Sequence, residues 1–210
     1  MAKRVEGVTE KLLECAREEF LEKGYENASL RTIAQRAGSS KGAIYIRYPD
    51  KASLFSALVD EAANGIALLL KKIQEEFTEL PGEVQADRVQ QMSDEGISIF
   101  IDYIYKHFVE FKLLCCSSEP GFYSNFIHRL VNIDVDTTMR FIGNSSNNAV
   151  SSGRLTPNFA HLLSESFYTG MFEIVVHDMP REEGDIYIRR LRKFFAAGWM
   201  TILNDEESAG

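Results

Sequence analysis

The stretch SLRTIAQRAGSSKGAIYIRYPDK, Ser29 to Lys51, constrains the chain more than any other. Ser29 can cap a helix, because its hydroxyl can accept an amide of the opening turn that has no partner within the helix. Leu30, Ile33, Ala34 and Ala37 then fall on one face at helical spacing. Gly38 ends that helix, where a left-handed residue is needed and glycine takes it without strain. Ser39 or Ser40 can cap a second helix, which runs through Ala43, Ile44 and Ile46 to about Arg47, and Pro49 stops it. Ala34 is small where two helices must cross closely. An alanine, a glycine four residues on, and a short polar-rich helix together make a helix-turn-helix.

The second helix is unusual for a core element. Its exposed side shows Ser40, Lys41, Gly42, Tyr45 and Arg47. Gly42 costs ~1 kcal/mol in a helix interior relative to alanine, a cost that makes sense where a backbone must come close to something else. A helix of this size is roughly 10 Å long, and the major groove of DNA is ~12 Å wide. From Asn27 to Phe55 the charges are Arg31, Arg36, Lys41, Arg47 and Lys51 against Asp50 alone, a net of +4 in a chain whose total is −8. Basic groups gathered around a helix-turn-helix in an otherwise acidic protein are an electrostatic footprint for DNA.

The run Ser40-Lys-Gly-Ala-Ile-Tyr-Ile-Arg-Tyr-Pro-Asp-Lys-Ala-Ser-Leu-Phe55, with the preceding Thr32-Ile-Ala-Gln-Arg-Ala-Gly38, resembles the signature of the TetR family of one-component transcriptional regulators. The close match covers about residues 9–56, and beyond it the resemblance is one of architecture. Three positions depart from the pattern: Ser39 replaces a branched apolar residue, Arg47 a histidine and Tyr48 a phenylalanine.

The resemblance implies an all-α protein in two parts. Residues 1–55 would be a three-helix, helix-turn-helix DNA-binding head. A long helix would join it to 56–210, a larger helical body for ligand binding and dimerisation. The implied function is a sequence-specific transcriptional regulator, a repressor released from a palindromic operator by a small hydrophobic inducer. Ser40, Lys41, Ala43 and Arg47 are the candidates for base edges. Thr32, Tyr45 and Lys51 are the candidates for phosphates, and Gly42 permits close approach. Two rival readings are an architectural DNA binder without an inducer and a helical protein–protein adaptor.

Composition sets bounds. At 210 residues the chain suits a small head and a larger body, and 45% hydrophobic content is ample for a core. Residues 1–55 sum to +2 and residues 56–210 to −10, so the body would repel DNA and turn the head toward it. No basic-apolar leader opens the sequence. The most apolar stretch, Gly65 to Leu70, is far shorter than the ~20 residues of a membrane span, so a cytoplasmic protein is expected. Three cysteines rule out a full disulfide framework.

Along the chain, Met1–Gly7 reads as a short basic start and Val8–Lys23 as an amphipathic helix closed by Gly24. Asp50 would cap the long connecting helix, which carries Leu54, Phe55, Leu58, Ala62, Ile66, Leu69, Ile73 and Phe77. Leu80-Pro81-Gly82 breaks it. Helices are then expected over Ala86–Lys106, Phe108–Cys116, 122–150, Asn158–Asp178 and Gly184–Asn204, with a loop from Ser151 to Pro157 and a frayed tail after Asn204.

Aromatic and apolar residues of the middle helices would line the inducer site: Phe100, Tyr103, Ile104, His107, Phe111, Leu114, Phe126, Phe167 and Met171. Tyr103 and His107, four apart, would supply its polar contacts. The resemblance implies that the last two helices pair with a second subunit through Phe167, Gly170, Met171, Ile174, Phe194, Phe195, Gly198, Trp199 and Ile202. No metal or cofactor is expected. His107, His128, His161 and His177 are scattered, and Cys115-Cys116 lacks zinc spacing and is a poor geometry for a disulfide. No motif of an enzyme is present.

Overall fold

The described residues of a computed structural model are 2–80, 95–116, 119, 121–144 and 147–204, and they form helices and turns with no strand among them. In order the helices are α1 (Ala2–Asn27), α2 (Leu30–Arg36), α3 (Lys41–Arg47), α4 (Lys51–Thr78), α5 (95–106), α6 (Phe108–Cys116), α7 (Phe122–Asn144), α8 (Pro157–Val176) and α9 (Arg181–Asn204).

Several boundaries differ from expectation. The basic start is helical from Ala2, continuous with α1, and Gly24 (φ 72°) breaks α1 so that a last turn follows it. The Pro81-Gly82 break, the first half of the Ala86 helix and the frayed tail lie outside the described residues. Pro157 opens α8 rather than ending the loop: Thr156 Oγ1 accepts the Phe159 amide at 3.2 Å, and proline is at home in a first turn, where its missing N–H leaves no gap. The last helix starts at Arg181, three residues before Gly184. Gly184 sits under Tyr105, where an added Cβ would come within 2.0 Å of the phenolic oxygen. That oxygen donates to the Met179 carbonyl at 3.0 Å, which fixes the α8–α9 turn.

The chain divides into two compact units, Met1–Gly65 with His107–Ser124 and Ile66–Lys106 with Asn125–Gly210. In the first, Leu12, Ala16 and Phe20 of α1, Ile33 of α2, Ile44 of α3, Leu54 and Phe55 of α4, and Phe111 and Leu113 of α6 are completely buried. Each large side chain so placed stabilises the fold by ~1.5–3 kcal/mol. Phe20 meets Phe55 edge-on at 5.2 Å, and Phe122 meets Phe55 at 5.2 Å.

In the second unit Phe172 anchors α8 against Phe126 of α7 (5.1 Å) and Phe100 of α5 (6.5 Å). A smaller cluster of Ile142, Ala149, Leu155 and Ala160 is covered by Trp199, Ile202 and Leu203 of α9. The loop before α8 closes the end of α9: Arg154 Nε donates to the Ile202 carbonyl at 3.1 Å and Asn147 Nδ2 to the Leu203 carbonyl at 2.9 Å. Those carbonyls have no acceptor role left inside the helix, and a cation there also suits the helix dipole.

By length and composition α4 could cross a membrane, which the short apolar run 65–70 had concealed. Most of its large apolar side chains are used otherwise: Leu54, Phe55, Leu58, Val59, Ile66 and Leu70 are buried in the protein, while Leu68 is exposed. α4 is a core helix, and its 28 residues run unbroken through both units.

Candidate nucleic-acid interface

Local hydrogen bonds fix the two short helices. Ser29 Oγ accepts the Thr32 amide at 3.4 Å, and the buried carboxylate of Glu19 accepts the Ser29 amide at 3.1 Å. After α2 the Ser39 amide donates to the Ala34 carbonyl at 2.8 Å and the Gly38 amide to the Gln35 carbonyl at 3.1 Å, with Gly38 at φ 63°. This pair of bonds across a left-handed residue is a Schellman ending. Ser40, not Ser39, caps α3, its Oγ accepting the Ala43 amide at 3.1 Å. Asp50 caps α4, with Oδ1 2.7 Å from both the amide and the hydroxyl of Ser53. The Ser53 amide, then its hydroxyl, hold the Asp50 carboxyl below its ordinary range.

Of the seven residues of α3 only Ile44 is buried. Lys41, Gly42, Tyr45 and Ile46 are exposed, as is the cap Ser40, while Ala43 and Arg47 are half-buried. The Lys41 ammonium lies 5.5 Å from the centre of the Tyr45 ring, so the two share one row of the helix surface. Thr32, in the first turn of α2, is half-buried. Ile46 departs from the sequence reading, which leaves it off the exposed side of α3. It is 86% exposed. Positions two apart on a helix point about 200° apart, so the two isoleucines cannot share a face, and the spacing itself held that signal.

Lys51 also departs. Instead of standing open at the start of α4, its ammonium donates to the carbonyls of Tyr25 (2.5 Å), Glu26 (2.9 Å) and Ala28 (3.4 Å) and lies 4.7 Å from the centre of the Tyr25 ring. Its donors are thus turned toward carbonyls at the end of α1 in the protein without DNA. Tyr25 is itself tied down: burial, then a hydrogen bond to Glu119 and the charges of Glu119 and Asp50, push its hydroxyl up to about 12. Arg36, counted among the basic groups, pairs with Glu18 and stands 3.7 Å from Glu19, so it fastens α2 to α1. The buried Glu19 was not legible as special among the many glutamates of α1.

The other candidate residues scatter by role. Phe100, Ile104, Phe126 and Met171 are buried in the second unit, and Phe111 and Leu114 in the first. Tyr103, His107 and Phe167 are half-buried. Among the residues expected at a subunit interface, Met171 and Ile174 are buried within the chain, and Gly170 is packed by Leu191 of α9. Trp199 and Ile202 cover the Ile142 cluster, and Phe167 meets Phe195 edge-on at 5.3 Å. Gly170 with Leu191 and Phe167 with Phe195 join α8 to α9 within the chain. Phe194 is different, being 75% exposed, and Gly198 faces open space. His128 and His161 come together with ring centres 5.9 Å apart, but no group of three or more His, Cys, Asp or Glu among the described residues could hold a metal.

The sequence pattern of the family described as "Bacterial regulatory proteins, tetR family" matches residues 12–58, from Leu12 of α1 through Leu58 of α4. The head is a TetR-family helix-turn-helix domain. An HTH-type transcriptional repressor, AcnR of Corynebacterium diphtheriae, is 43% identical to this TetR head over 58 residues, 28% of this chain. That alignment spans 30% of the length of the relative. Solved structures extend the likeness of fold to most of the chain. A putative TetR-family regulator from Mesorhizobium loti superposes with a TM-score of 0.54 at 18% identity, covering 91% of this chain and 96% of its own. NalD of Pseudomonas aeruginosa, the secondary repressor of the MexAB-OprM multidrug efflux pump, does so with 0.54 at 19% identity, covering 92% and 97%. The helical fold of those two structures thus extends beyond the matched head into the later helices.

Proposed function

We propose that the protein is a homodimeric, sequence-specific DNA-binding repressor that leaves a palindromic operator when a small hydrophobic inducer occupies its body. The observation that carries the reading is α3: capped at Ser40, stopped after Arg47, and with Ile44 its one buried residue, so that Lys41, Gly42, Tyr45 and Ile46 are offered outward. A core helix of that design would be a poor one. As a probe in a major groove it is well made, because Gly42 lets the backbone approach and Ser40, Lys41, Ala43 and Arg47 can meet base edges. Thr32 and Tyr45 flank it and suit phosphates. The repressor names of relatives that share the head point the same way.

Dimerisation follows from the need of a two-fold operator for a two-fold protein, and the exposed Phe194, Leu162 and Met200 on the last two helices are the apolar surface it would cover. The inducer reading rests on the aromatic stock of the body, with Tyr103 and His107 as polar contacts. Release would be a population shift, the inducer binding better to a body whose heads are wrongly spaced.

Selection of bound duplexes from a random pool is the test. A palindrome bound with affinity that falls steeply as salt rises is the expected result. Failure to bind any DNA at low salt, or equal affinity for all sequences, would overturn the proposal.

A further inference from the structure

We infer that Ile46 reads the C5-methyl group of a thymine in each operator half-site, by apolar contact at the floor of the major groove. The inference rests on the DNA-binding reading and goes past it to a base. At about 100° per residue, the direction opposite the buried Ile44 lies between Gly42 and Ile46. The ridge of α3 farthest from the core is therefore Gly42 and Ile46, one turn apart. On one side of it runs the Lys41–Tyr45 row, and on the other runs the Ala43–Arg47 row, nearer the core and half-buried.

A helix laid in the groove with its anchored side away from DNA puts that middle ridge deepest. There Gly42 brings no side chain. An added Cβ would meet nothing nearer than Ser40 Oγ at 3.9 Å, so packing within the chain does not require glycine.

Ile46 is the most exposed of the large exposed hydrophobic side chains, at 86%. A single exposed isoleucine is ordinary on a protein surface, but the position is not. The side chain can neither donate nor accept a hydrogen bond, so none of the polar base edges can use it. The apolar feature of the major groove is the thymine methyl, and an apolar side chain is the group that recognises it. A β-branched residue in a helix is held mostly to one rotamer, so little freedom is lost on contact.

The test uses the full chain and the palindrome that random-pool selection returns. Each thymine of a half-site is replaced in turn by deoxyuridine, which removes only the methyl group. Wild type is expected to lose about fourfold in affinity at one position per half-site, and about fifteenfold when both half-sites carry it, the scale of one buried methyl. Ile46→Ala should bind the unmodified site more weakly, melt at the temperature of wild type because the side chain is exposed, and no longer distinguish thymine from deoxyuridine there. The inference is overturned if the selected half-site has no fixed T·A pair, if no deoxyuridine weakens wild type, or if Ile46→Ala keeps the same penalty at the same base. Those results leave DNA binding standing. Absence of any selected DNA would remove the DNA-binding reading and this one with it.

Discussion

The Lys51 ammonium stands 4.7 Å from the centre of the Tyr25 ring and donates to the Tyr25 carbonyl at 2.5 Å, so the first residue of α4 closes the end of α1. The carbonyls it serves, those of Tyr25, Glu26 and Ala28, lie where α1 runs out of amides to accept from. Lys51→Met keeps the stem and removes the donors. It is expected to cost about 1–2 kcal/mol of stability, seen as a lower urea midpoint. Operator affinity of the still-folded fraction should depend on salt with the slope of wild type. A slope flatter by about one unit would instead mean that Lys51 neutralises a phosphate.

Gly42 separates folding from binding. Its Cβ position is open apart from Ser40 Oγ at 3.9 Å. Gly42→Ala should therefore raise the stability of the free protein by up to about 1 kcal/mol, through helix propensity alone. The same methyl group would stand between the α3 backbone and DNA, so affinity should fall on every sequence. Parallel urea melts and operator titrations check this: a variant that is more stable and binds as tightly as wild type would show that the backbone keeps its distance.

The head was legible because its signals are local. Ser29, Gly38, Ser40, Asp50 and Pro49 act on atoms within a few residues, and each cap or stop follows from chemistry that sequence order displays. The carbonyl contacts of Lys51 were not legible, because its partners are some 25 residues away in the chain and nothing at position 51 announces three carbonyls near the end of α1. Glu19 was missed for the same reason: Ser29 and Arg36, which give it a reason to be buried, lie beyond its own helix. In α8 and α9 the periodicity marks apolar positions but not what each of them faces. An inward stripe and an interface stripe have the same spacing, and only the packing assigns Met171 and Ile174 to the first and leaves Phe194 over.

That distinction decides which substitution probes the dimer. Trp199 covers Ile142, Ala149, Leu155 and Ala160 of its own chain, so Trp199→Asp should damage the fold before it reports on assembly. Phe194 is 75% exposed, and Phe194→Asp should leave the melting temperature of the monomer unit nearly unchanged while turning dimers into monomers in sedimentation. A dimer that survives this change at micromolar concentration would move the interface off α9.

Asp134 offers a pH-dependent readout of the body. Its carboxylate takes hydrogen bonds from Ser164 Oγ (2.6 Å), Gln74 Nε2 (2.9 Å) and the Tyr168 hydroxyl, joining α4, α7 and α8, and Thr137 donates to the other end of Gln74 at 2.9 Å. The residue keeps some exposed surface, but the atoms crowded around the carboxylate decide the cost of its charge. Burial raises its affinity for a proton, and the three donors only partly offset this. An acid whose folded value lies above its unfolded value binds more protons in the folded state across the interval between them. Its contribution to stability is then fully present below the ordinary value of 3.8 and is lost as pH rises through the folded value. Asp134→Asn keeps an acceptor and cannot ionise, so it should lack that falling limb. Urea midpoints from pH 4 to 8 should show wild type losing ground to the variant as pH rises. A gap between the two that stays constant with pH would mean that Asp134 keeps an ordinary carboxylate value inside the fold.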